Sequence, residues 1–203
     1  MDTHVCTVGG YAVSGHRPDR IEADTMRYVE LRRHTDNDGD TLTAAGVAAA
    51  EEIGRSGLQP PYAAFVSSGA ERATQMVTIL RDAAGQRDHV VAEQTGLRSS
   101  VEDRWREASK SAGKGADLEA MRAVDPDLVE RESMVLGGEL RQVVDALPEG
   151  GRALVIGHSP TNEAAVLGLA GVVVPPLGKG AGVLVTESDG RYEVEPLPVP
   201  TPG

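Results

Sequence analysis

The sequence predicts an α/β fold: a three-layer α/β/α sandwich with a mainly parallel central sheet and a helical insertion above the strand ends. Two observations carry this. Short β-prone runs alternate with segments of helical spacing, the pattern of βα units and a parallel sheet. One stretch, about 97–146, breaks the alternation: it is densely charged, offers no strand signal before Ala153, and reads as helices inserted into the same domain.

Taken in order, Arg27–Arg33 reads as the first strand and His34–Asp40 as a polar loop. Thr41 is placed to cap a helix over Leu42–Ile53, with Leu42, Ala45, Ala49 and Ile53 on one face and Gly54 and Gly57 ending it. After Pro60-Pro61, Ala63–Val66 is a short strand. Ser67 or Ser68 would then cap a helix from about Ala70 to Ala84, with Met76, Ile79 and Leu80 inward. His89–Ala92 is a third strand. The charged stretch divides near Gly113–Gly115 and at Pro126, and its last helix turns Val135, Leu136, Leu140, Val143, Val144 and Leu147 toward the core. A continuous apolar strand, Ala153–Gly157, precedes a helix over Thr161–Leu169. Gly182–Thr186 and Tyr192–Glu195, joined through Ser188-Asp189-Gly190, read as a hairpin. The expected organisation is an N-terminal extension (1–26), one domain (27–195) and an extended, mobile Pro-rich tail (196–203).

Composition removes several function classes. The 203 residues carry 20 Lys and Arg against 31 Asp and Glu, a net charge of −11, so no cationic surplus exists for nucleic acid or an anionic membrane. Aromatics are 3%, too few for base-stacking platforms. Cys6 is the only cysteine, which excludes an intrachain disulfide and thiolate zinc clusters. His4 and Cys6 supply two ligands and make a poor metal site. No apolar run reaches the roughly 18–20 residues of a membrane span, and Met1–Met26 lacks the apolar core of a signal peptide. A cytoplasmic protein is the expectation. The sequence leaves the oligomeric state open, with a homodimer among the options.

The chemistry should gather at the carboxyl ends of the strands, where open α/β sheets bind ligands. Three segments put polar groups there: Arg32-Arg33-His34-Thr35, Ser67-Ser68-Gly69-Ala70-Glu71-Arg72-Ala73, and Ile156-Gly157-His158-Ser159-Pro160. Two histidines and at least two arginines at one rim suit a phosphoryl dianion. Arg offers a permanently charged fork, a helix start at Ser159–Thr161 offers N–H donors, and a neutral imidazole can attack phosphorus. Arg72, a cation at a helix start, opposes the helix dipole, a local conflict of the kind functional sites carry. Arg32 is expected to turn to the surface, as are His16 and His89. Trp105 can line the pocket mouth or pack within the insertion.

These residues resemble the histidine phosphatase, or phosphoglycerate-mutase-like, superfamily. The matching pieces are Arg33-His34-Thr35 after the first strand, Leu42-Thr43-Ala44-Ala45-Gly46 at a helix start, Ser67-Ser68 with Arg72-Ala73-Thr74-Gln75, and Gly157-His158 after a late strand. The four stand in the family's order and span roughly Arg27 to Thr186. The resemblance implies that the insertion caps the active site, that His34 is the nucleophile, that Arg33 and Arg72 clamp phosphate, and that His158 binds the transferring group. Thr35, Asn37 and Ser159 are the further substrate-binding candidates. The family's proton donor, a Glu after Leu-Arg, is replaced by Ser99 after Leu97-Arg98; Glu102 and Asp103 are the nearest carboxylates, and Glu102 is the one we assign. Thr35 replaces the family's glycine, and the loop Asp36–Asp40 is unusually acidic. The implied activity is hydrolysis of a small phosphorylated metabolite through phosphohistidine, with no cofactor and no metal. A mutase-type phosphoryl transferase and a degenerate phosphoryl-binding module are the alternatives. Arg98, Arg104, Arg106 and Lys110 of the insertion stand where they can meet a second anionic group.

Overall fold

A computed structural model describes residues 25–200; most of the expected extension, with His4, Cys6 and His16, lies outside the described residues, as do 201–203. Strands β1 (Arg27–Arg33), β4 (Ala64–Ser67), β5 (Val91–Glu93), β6 (Arg152–Gly157), β7 (Gly182–Ser188) and β8 (Arg191–Leu197) form one sheet in the order β5-β4-β6-β1-β7-β8. β1, β4, β5 and β6 run parallel; β7 is antiparallel to β1, and β8 is antiparallel to β7. β2 (Asn37–Asp38), inside the expected polar loop, pairs in a small hairpin with β3 (Thr41–Leu42), which occupies the expected cap and first residue of the helix.

Helices cover both faces because the buried strands are apolar on both. In β6, Leu154 and Ile156 meet Ala50 and Ile53 of α1 (Ala44–Ser56) and Met76, Val77 and Leu80 of α2 (Glu71–Ala83). Ala153 and Val155 point the other way, to α5 (Pro126–Asp145) and α6 (Thr161–Ala170). α3 (Glu102–Ala112) packs on α4 (Leu118–Val124), and α4 on α5. The breaks near Gly113–Gly115 and at Pro126 fall where expected: Asp125 caps α5, with Pro126 in its first turn, where a missing N–H is harmless.

Several details depart from the sequence expectation. Thr43, not Thr41, caps α1, its hydroxyl accepting from Gly46 N at 3.0 Å. The helix runs through Gly54 and buries Gly46, Ala50 and Ile53, leaving Ala45 exposed. Its phase is set by a close approach: a Cβ on Gly46 would collide with the Asp36 carbonyl oxygen, which explains the glycine of Leu-Thr-x-x-Gly. Neither serine caps α2; Ala70 sits at its N-cap without a side-chain bond. Val135 is 57% exposed, one position outside the core stripe of α5. β8 continues through Pro196 to Leu197, which pairs with Gly182; as an edge strand it tolerates the proline. Arg32 is not at the surface. It is 1% exposed, ion-paired to Glu30 at 2.6 Å, and its Nη groups donate to Gly180 O (3.1 Å) and Gly57 O (3.2 Å). Each of its three nitrogens finds an acceptor, which offsets the cost of taking the charge out of water.

α5 and α6 cross at glycines. A side chain on Gly168 would collide with the Ser133 carbonyl, and one on Gly137 with the Gly168 backbone. Gly138, one residue on, faces open space. Gly168→Ala should therefore lose about 1–3 kcal/mol through overpacking. Gly138→Ala should gain about 0.5–1 kcal/mol from helix propensity. Urea unfolding of the two variants checks both signs.

Candidate active site

The site lies where β1, β4 and β6 end together. The ladder continues beyond the strands: His34 N donates to Gly157 O (3.0 Å) and Ser68 N to Ile156 O (3.1 Å). Neighbouring strand ends thus carry Arg33-His34, Ser67-Ser68 and Gly157-His158 to one point. Gly157 is small for a reason, since a Cβ there would collide with Asn162 Oδ1, the acceptor of His158 N at 3.2 Å.

His34 and His158 stand with ring centroids 5.1 Å apart, both nearly buried. Arg72 spans them. Its Nε donates to His34 Nε2 and its Nη2 to His158 Nδ1, each at 3.2 Å, while Nη1 pairs with Asp40 at 2.5 Å. Arg72 has no acceptor, so both contacted ring nitrogens present lone pairs and the tautomers follow. His34 carries its proton on Nδ1 and donates it to Thr35 O (2.8 Å). His158 carries its proton on Nε2 and donates it to Ser68 Oγ (2.8 Å).

Both imidazoles are held neutral. Burial pushes His34 down to about 4, against the pull of the Thr35 carbonyl, and the charges of Lys179, Arg72 and Arg33 add to it. Burial first and Arg72 second push His158 down to about 3. Arg33 donates Nη1 to Leu177 O (2.8 Å), and its buried Nε finds no hydrogen-bond partner among the described residues. Burial lowers the Arg33 pKa and the charge of Glu163 opposes that shift. Glu163, 2% exposed, accepts from Ser159 Oγ (2.6 Å) and Leu177 N (2.8 Å); burial raises its pKa.

The structure brings Arg33, His34, Arg72 and His158 together. The other expected residues stand around them. The Thr35 hydroxyl is directed to Gly46 O (2.7 Å), so Thr35 meets His34 through its carbonyl. Ser159 lines the cleft but gives its hydroxyl to Glu163. Asn37 Nδ2 bonds Gly39 O (2.9 Å) and its Oδ1 accepts from Lys179. Glu102 lines a cleft of about 410 Å³ with Arg72 and His158, and is held by Arg98 at 2.5 Å. Asp103 is 91% exposed and pairs with Arg106. Of the insertion's cations, Arg98, Arg106 and Lys110 line this cleft, whereas Arg104 turns to Asp125. Trp105 is both buried and part of the cleft wall. Ser99, in the slot of the expected acid, donates to Glu132 (2.5 Å). Sequence reasoning missed Asp40 on Arg72, Ser68 on His158, Glu163 and Lys179. Ser68 lies within a quoted motif and Glu163 just beyond one; Lys179 lies in no motif at all.

Among the described residues, no group of three or more His, Cys, Asp or Glu is arranged to hold a metal ion, and no helix is long and apolar enough to cross a membrane.

No family model matches the chain, and no curated protein matches it by sequence. Solved structures share its fold. A phosphoglycerate mutase from Bacillus anthracis superposes with a TM-score of 0.67 at 19% identity, over 86% of this chain and 94% of that one. A mycobacterial glucosyl-3-phosphoglycerate phosphatase superposes at 0.55 and 18%, over 84% and 98%. YhfR of Bacillus stearothermophilus gives 0.58 and 18%, over 83% and 95%. The chain therefore has the phosphoglycerate-mutase-like fold.

The neutral histidines make stability pH-dependent. An unfolded histidine binds its proton near 6.5, whereas the folded site refuses it until about 4 at His34 and about 3 at His158. Between those limits the unfolded chain binds more protons, so stability falls as pH falls. We expect Tm to drop from pH 7 to pH 4 more steeply in the native chain than in a His34→Gln/His158→Gln variant. Equal slopes in thermal melts would contradict the assigned neutrality.

Proposed function

We propose that this chain is a phosphomonoesterase of the histidine phosphatase superfamily, hydrolysing a small phosphorylated metabolite through a covalent phosphohistidine. One observation carries the reading: a guanidinium bridges two neutral, buried imidazoles, and one of them, His34, directs its Nε2 lone pair at that guanidinium. That is a nucleophile beside a cationic clamp, with protonation already suited to attack. A phosphatase and a mutase among solved structures of this fold support phosphoryl chemistry at these strand ends.

In the first step the phosphoryl group enters between the histidines. A non-bridging oxygen replaces His34 Nε2 as acceptor for the Arg72 Nε–H. His34 Nε2 attacks phosphorus, the P–N bond forms and the ester P–O bond breaks. Arg33 and Arg72 stabilise the charge on the equatorial oxygens, His158 Nδ1 orients Arg72 among them, and Thr35 O holds the imidazolium that develops at His34. The leaving alkoxide takes a proton from a carboxylic acid, for which Glu102 on the cleft wall is our assignment. Water then attacks phosphorus as the carboxylate removes its proton. The P–N bond breaks and phosphate leaves. The arginines supply the positive charge, so no step calls for a metal. A lone cysteine fits a reducing, cytoplasmic location. Ser99 in the donor slot favours the second reading, a module that binds phosphoryl groups without turnover.

Hydrolysis of 4-nitrophenyl phosphate in excess EDTA should proceed undiminished; trace hydrolysis would indicate a mutase and none a binding module. Glu102→Gln should slow alkyl phosphate hydrolysis about 10²–10⁴-fold and the nitrophenyl ester far less, because only the alkoxide needs an acid. Asp103→Asn, on the exposed side of α3, should alter neither rate. Equal small effects of Glu102→Gln on both esters would remove Glu102 from the mechanism.

A further inference from the structure

Lys179 lies in the connection between α6 and β7, and its backbone is fixed from beneath. The buried Arg32 pairs with Glu30 at 2.6 Å, and Tyr62 donates to the second Glu30 oxygen at 2.6 Å. Arg32 is thereby held to donate Nη1 to Gly180 O (3.1 Å). Gly180 N in turn donates to Arg33 O (3.1 Å), one residue before His34. Gly180 has φ +78°, and a Cβ there would lie 2.9 Å from Ile53 Cδ1, so only glycine keeps this loop on the strand end. The buried ion pair of the first strand thus presses the residue next to Lys179 against the nucleophile's own backbone.

The Lys179 side chain returns over the same strand end. Its ammonium bonds Asn37 Oδ1 and lies 3.9 Å from Asp36 Oδ1, both in the loop that follows His34. It sits near enough to Arg33 and Arg72 for their charges to oppose its own, and its charge acts on His34 in turn. Asp36 is 58% exposed and also accepts from Thr43 at 2.9 Å, so it neutralises Lys179 weakly. Asp40 pairs with Arg72 at 2.5 Å and the charge of Glu163 acts on Arg33, which leaves Lys179 the least compensated of three cations around a neutral imidazole.

We infer that Lys179 is a phosphoryl-binding residue that exchanges Asn37 for a non-bridging oxygen of the phosphoryl group at His34, completing a clamp with Arg33 and Arg72. The inference rests on the phosphoryl-binding part of the proposed function, not on hydrolysis. A charge-assisted hydrogen bond of this kind contributes about tenfold or more in affinity. A lysine that merely tethered the 36–37 loop would leave anion affinity untouched.

The test is calorimetric titration of the full chain with inorganic phosphate, alongside inhibition by phosphate of 4-nitrophenyl phosphate hydrolysis. Lys179→Met should weaken phosphate binding about tenfold or more and raise KM by a similar factor. Lys179→Arg should recover most of the loss. Tm should move little, since the side chain is 37% exposed. Phosphate affinity of Lys179→Met within twofold of the native chain would overturn the inference, whatever happens to Tm. A native chain that binds phosphate without hydrolysing ester overturns hydrolysis alone, and the Lys179 comparison then still decides by calorimetry. A native chain that binds no phosphate overturns both.

Discussion

One guanidinium joins three strand ends. Arg72 enters from the first turn of α2 and donates to an imidazole at the end of β1 and to another at the end of β6, while Asp40 holds its outer edge. A cation is disfavoured at a helix start, and a second cost comes from burying it beside Arg33 and Lys179. What holds it there is the register β4-β6-β1, which sets Ser68, His158 and His34 side by side. The fold and the site are therefore one problem: slip any of these strands by one residue and every side chain changes face.

The tautomers follow from the same contact. Because Arg72 can only donate, each histidine must offer it a lone pair, and the remaining ring proton must find an acceptor on the far side. Thr35 O and Ser68 Oγ supply those acceptors. Burial then keeps both rings neutral. The choice of which ring nitrogen carries a lone pair is thus built from a backbone carbonyl at His34 and a serine hydroxyl at His158. The first requires the chain to turn sharply after His34, and the Thr35–Gly46 bond and the bare Gly46 backbone allow that turn.

Much of this was legible in the sequence, because strand ends announce themselves. Apolar runs stop at Arg33, Ser67 and Gly157, and the polar residues just beyond them are the ones that meet. The mainly parallel sheet and the two helical faces follow from alternation, whereas the strand order does not. What was not legible depends on distant partners. Arg32 reads as a surface residue until Glu30, Tyr62 and the 180 loop are seen to satisfy it. The phase of α1 depends on the contact between Gly46 and Asp36, which shifts the buried stripe by one residue from the apolar pattern. Lys179 is 145 residues from His34 in sequence, and Asp40 reads as one acid among several in a polar loop. Glu102 reaches the cleft but is bound to Arg98, an arrangement that helical spacing permits and does not demand.

The central claim is that His34 Nε2 attacks phosphorus. Rapid mixing with a labelled phosphate ester, quenching without acid and mapping the label to a peptide tests it most directly. A phosphoryl group is expected on His34, lost when His34 is changed to alanine in a chain that still folds. Label on Ser67 or Ser68, or on His158 alone, would contradict it.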